Sequence, residues 1–105
     1  MIEVKVFKNK DSVGFNINGH ADYAEHGEDI VCAAVSILSY TIYRSLIVNL
    51  GLEKKMDSKQ KDGFMSVRVS ARNEQIDLLF DTFIEGMRSL KEGYGDFIRL
   101  TLEED

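Results

Sequence analysis

The sequence predicts an α+β domain, a mostly antiparallel sheet with two helices packed on one face. The strand-like segments alternate apolar and polar residues, as in Ile2-Glu3-Val4-Lys5-Val6, which marks a sheet with one buried and one wet face. Two longer segments repeat their apolar residues at helical spacing. The elements follow in the order ββαββαβ, so the helices must cover the sheet between runs of strands. The domain is read as spanning residues 1–105, since a chain of this length forms one domain.

Residues 2–8 put Ile2, Val4 and Val6 on one face, and residues 12–19 do the same with Val13, Phe15 and Ile17. Asn9-Lys10-Asp11 between them is turn chemistry, so the pair reads as a β-hairpin. Residues 20–28 form a polar, acid-rich loop. Helix one is expected over residues 30–50, with Asp29 as its N-cap and Gly51 as its C-cap. Val31, Val35, Leu38, Ile42 and Leu46 make one stripe, but Ile30, Ala33, Ile37, Tyr40 and Ile47 fall outside it. A helix this apolar in a small domain is expected to bury two faces. One packs on the sheet, the other on the second helix or on a second subunit.

Residues 52–59 are a strand candidate that frays into residues 59–63, where Asp62-Gly63 marks a turn. Residues 64–71 form a clearer strand, with Met65, Val67 and Val69 on one face. Helix two is expected over residues 74–91, with Ile76, Phe80, Phe83, Met87 and Leu90 in its apolar stripe and Gly93 ending it. Residues 97–102 form the last strand, with Ile98, Leu100 and Leu102 facing one way.

The net charge of −5 argues against a nucleic-acid binder, which needs a basic patch for the phosphates. It suits a basic partner, whose approach the acidic field would speed. One cysteine cannot form an internal disulfide, which fits a reducing cytoplasm. The N-terminus alternates like a strand and does not resemble a signal peptide. No membrane span is expected: residues 30–50 come closest, but Ser36, Ser39, Arg44, Ser45 and Asn49 interrupt them.

That cysteine, Cys32, carries the candidate chemistry. With Asp29 as N-cap it occupies the third helical position, where the partial positive charge of the helix start stabilises a thiolate. His20 lies one loop upstream, at the end of the second strand, and can take the thiol proton and return it to a leaving amine. The amides of Val31 and Cys32, in the unpaired first turn, would point at the oxyanion of an attacked carbonyl. Ser36, one turn after Cys32, shares its face and can hydrogen-bond the sulfur or the substrate.

Plainer readings stand beside this one. A lone cysteine in an apolar helix is more often a small buried hydrophobe. A histidine after a glycine is more often a turn or surface residue, and Asp29 is explained by capping alone. Asp22 is a candidate to orient His20, although most loop aspartates are simply solvated, and no triad is assigned. Gly19 and Gly27 supply permissive backbone geometry. His20, Asp22, His26 and Cys32 are zinc-type ligands, but their spacing matches no structural zinc pattern, so no metal or other cofactor is expected.

The stretch from Gly19-His20-Ala21 to Asp29-Ile30-Val31-Cys32-Ala33-Ala34-Val35-Ser36 resembles the bacterial ribosomal-processing cysteine protease family, Prp. Chain length and element order fit as well, so the resemblance covers the whole domain. It implies that Cys32 is the nucleophile and His20 its base, with Gly19, Asp29 and Ser36 in supporting positions; His26 inherits no role. It further implies a cytoplasmic homodimer that cuts a short N-terminal extension, after an aromatic residue, from large-subunit ribosomal protein twenty-seven. The reading from another class is a non-catalytic acidic module that docks a basic ribosomal segment and tolerates loss of the thiol.

Overall fold

The computed structural model describes residues 1–19 and 26–105, with the backbone alone for 26–29. Five strands form one sheet: β1 (Ile2–Lys8), β2 (Val13–Asn18), β3 (Met56–Lys61), β4 (Phe64–Val69) and β5 (Ile98–Glu104). Two helices, α1 (His26–Val48) and α2 (Glu74–Tyr94), join them, giving the predicted ββαββαβ order. The sheet order is β3-β4-β2-β1-β5. All neighbours are antiparallel except β1 and β5, which run parallel with Ile2 opposite Ile98. Each helix therefore connects two strands of the same direction, β2 to β3 and β4 to β5, and such connections need a crossover long enough for a helix.

The alternation read from the sequence is the burial pattern observed. Ile2, Val4, Val6, Phe15, Ile17, Val67 and Val69 are buried, while Glu3 and Lys5 face water. Phe15 from the sheet stacks on Phe83 of α2 with ring centroids 4.4 Å apart, and Phe80 tilts against it at 6.1 Å. The β1–β2 turn is held by Asn9, whose Oδ1 accepts from the amides of Asp11 at 2.9 Å and Ser12 at 2.8 Å.

Helix α1 starts four residues earlier than expected, at His26, so Asp29 lies within its first turns and is not the N-cap. Gly27 reads as a breaker, but Glu28 and Asp29 behind it are acids in the opening turn, where the helix dipole favours them. At the other end Gly51 behaves as expected. Its φ of +65° is left-handed, and its amide donates to the Ile47 carbonyl at 3.0 Å, closing the helix in an αL motif.

One α1 face, Val31, Val35, Ile42 and Leu46, is buried in the core cluster it shares with the sheet and α2. Leu38 meets α2 at Gly86, where a Cβ would come within 2.4 Å of its methyl. The remaining apolar face stays open, with Ile37 67% and Val48 63% exposed.

The other boundaries shift for local reasons. The segment after α1 forms a short 3₁₀ turn, Glu53–Lys55, before β3, so the strand begins at Met56 and runs on to Lys61. This edge strand, MDSKQK, buries little, so no alternation marks its limits. Helix α2 opens on Asn73, whose side chain accepts from the Ile76 amide at 2.8 Å, and runs past Gly93 to Tyr94. The last strand likewise extends to Glu104, held in register along the whole of β1.

Candidate active site

Five residues of α1, Cys32, Val35, Ser36, Ser39 and Tyr40, recur at helical spacing and line one cavity of about 430 Å³. Its floor is the buried end of the sheet, Ile2, Ile17 and Met65. Its opposite wall is the β3–β4 hairpin from Gln60 to Phe64. Cys32 is half-buried on this wall of α1, and its thiol is free. Ser36, one turn on, is exposed, whereas the buried Ser39 hydroxyl donates to the Val35 carbonyl at 2.6 Å.

Gly19 also lines the cavity, at the end of β2. Its φ is +105°, and a Cβ there would stand 2.4 Å from the Met1 carbonyl oxygen. Its amide donates to the Gly63 carbonyl at 2.9 Å. The chain immediately before His20 is thus clamped between β1 and the hairpin turn, in a backbone conformation that L side chains rarely adopt.

The structure brings Gly19, Cys32 and Ser36 to one cavity. His20 and Asp22 lie outside the described residues, and the side chains of His26 and Asp29 are likewise outside the description. Among the described residues, no three His, Cys, Asp or Glu side chains cluster as metal ligands.

The early start of α1 corrects the expected oxyanion donors. Cys32 is in the second helical turn, and the amides of Val31 and Cys32 bond to carbonyls four residues back. The helix start lies about 6 Å further along the axis from the sulfur than expected, at 1.5 Å per residue, and its field fades within a turn.

Two wall residues escaped the sequence reading. The Tyr40 hydroxyl donates to the Gln60 side-chain carbonyl, joining α1 to β3 across the cavity. Tyr40 was legible, since it falls two turns after Cys32 on the same face. Gln60 was not, because residues 59–63 read as a turn and not as the end of a strand.

The family model for the cysteine protease Prp matches residues 1–99. The chain belongs to the Prp family of cysteine proteases. Its curated relatives include the ribosomal processing cysteine protease Prp of Bacillus subtilis, 29% identical over 96% of each chain. The protein of the same name from Staphylococcus aureus is 28% identical over 80% of each.

Solved structures agree. The S. aureus protease Prp crystallised with a substrate peptide is 29% identical, covers 97% of this chain and 99% of its own, and superposes with a TM-score of 0.81. The same protease with a covalently linked product peptide gives 0.78 at 30% identity, with the same coverage. SMU.848 from Streptococcus mutans gives 0.77 at 28%, over 100% of this chain and 96% of its own. Family and fold together make this chain a cysteine protease of the Prp family on the predicted architecture.

Proposed function

We propose that the chain is an endopeptidase that removes the N-terminal extension of large-subunit ribosomal protein twenty-seven, with Cys32 as nucleophile and His20 as proton carrier. The observation that carries this is the single cysteine of a Prp-family chain, lying half-buried on the wall of a cavity large enough for a peptide's side chains. The thiol gives its proton to His20, and Sγ attacks the carbonyl carbon of the scissile bond. The tetrahedral intermediate collapses to a thioester as His20 protonates the leaving amine. Water, deprotonated by His20, then hydrolyses the thioester and frees the thiol. A covalently linked product peptide in the S. aureus relative supports a route through such an intermediate.

The acidic chain, at −5, suits a basic ribosomal substrate. A single thiol that cannot form an internal disulfide fits a reducing cytoplasm. The open face of α1, with Ile37, Val48 and the 53% exposed Ile30, supports a homodimer in which a second copy covers it. Sedimentation of wild type and Ile37→Asp tests that association.

The decisive experiment offers the ribosomal protein, with its native extension, to wild type, Cys32→Ala and His20→Ala, and locates cuts by mass spectrometry. One cut by wild type, lost in Cys32→Ala and greatly slowed in His20→Ala, is expected. No cut by folded wild type would leave a binding module or another substrate.

A further inference from the structure

We propose that Tyr40 and Gln60 form the end wall of the cleft and set the size of the substrate side chain it accepts. The inference rests on the protease reading above. Tyr40 lies eight residues after Cys32 on the same helix, which puts it about 12 Å along the axis at 1.5 Å per residue. The cavity between them runs along α1, and the Tyr40–Gln60 hydrogen bond closes it toward β3. Its floor of Ile2, Ile17 and Met65 is apolar, and the one buried hydroxyl beside it, on Ser39, is already bonded to Val35. The polar lining residues Ser36, Lys61 and Asp62 belong to the walls and not to that floor, so the side chain that reaches the floor is an apolar one.

The length of that side chain is limited by what stands at the far end. Tyr40 and Gln60 are both exposed at the surface. They can therefore be replaced without opening the core, and their bond is between side chains alone. A wall of this kind discriminates by steric fit, and a methylene-sized change in such a pocket alters selectivity by about 10- to 200-fold.

The test uses substrate peptides carrying Ala, Leu, Phe or naphthylalanine at each of the two residues on either side of the cut. The kcat/KM ratio of naphthylalanine to Phe is compared between wild type, Tyr40→Ala, Gln60→Ala and Tyr40→Phe. At one position, Tyr40→Ala and Gln60→Ala should each raise that ratio by about tenfold or more. Tyr40→Phe keeps the ring and should fall between them and wild type. An unchanged ratio at all four positions in both alanine variants would overturn the end wall. The same peptides, fluorescently labelled, are titrated onto Cys32→Ala with and without Tyr40→Ala. If wild type cuts nothing, the protease reading fails on its own, and the change in relative affinity still decides whether Tyr40 bounds the cleft.

Discussion

Gly19→Ala should cost more stability than any ordinary surface change, and the structure says how much. Two terms add. An L residue at a left-handed φ, here +105°, costs about 1–2 kcal/mol. The new methyl would also stand 2.4 Å from the Met1 carbonyl oxygen, in the peptide unit whose Ile2 amide donates to the Phe97 carbonyl at 2.9 Å. Forcing such an overpacked contact apart adds about 1–3 kcal/mol, so the total is about 2–5 kcal/mol. Gly51→Ala isolates the first term, because its φ is +65° and a Cβ there meets nothing within 4 Å; about 1 kcal/mol is expected. Urea denaturation of both variants, followed by circular dichroism, gives the two values. Gly19→Ala should also lower cleavage, since the displaced amide loses the Gly63 carbonyl just before His20. A Gly19→Ala loss no larger than that of Gly51→Ala would refute the clamp between β1 and the hairpin.

Two further outcomes test the frame that holds the site. Phe83→Ala removes a fully buried ring stacked 4.4 Å from Phe15 and should destabilise the domain by about 3–5 kcal/mol in the same denaturation assay; a loss under about 1 kcal/mol would mean that the ring is not a core element. Asp77 accepts from Arg72 Nε at 2.7 Å, and that hydrogen bond, against the opposing effect of burial, holds its carboxyl below the usual range. The folded state therefore binds this proton less readily than the unfolded chain. Its stabilisation is present above the ordinary carboxylate range and is lost as pH falls through the lowered value. The pair is partly exposed, so Asp77→Asn should cost about 0.2–1 kcal/mol at pH 7 and nothing in strong acid; an equal loss at both pH values would contradict the ion pair.

The legibility of the fold follows burial. Where one face of an element meets the core, the sequence marks it: Ile2, Val4 and Val6 in β1, or Ile76, Phe80, Phe83 and Met87 in α2, recur at the period of their element and are all buried. β3 has no such face. Its residues Asp57 to Lys61 are exposed, so neither its start nor its end leaves a periodic trace. The parallel pairing of β1 with β5 is also silent, because register and direction at an edge depend on where α2 delivers the chain. Leu102 alternates with Ile98 and Leu100 as a core residue would, yet it is 44% exposed, on an edge strand where cover runs out.

The site depends on a boundary that periodicity cannot fix. Val31 and Val35 repeat identically whether α1 opens at residue 26 or 30, so the apolar stripe says nothing about the first turn. That choice falls to short-range signals, and here they conflict: Gly27 argues for a later start, Glu28 and Asp29 for an earlier one. The chemical consequence is larger than the structural one. A start at residue 30 would leave the amides of Val31 and Cys32 free to receive an oxyanion, whereas the observed start at His26 commits them to the helix. Ser36, exposed one turn after Cys32 on the same cavity, then presents the hydroxyl available on that face. Stabilising charge on an attacked carbonyl then falls to groups other than those two amides, and spacing along one helix does not reveal which.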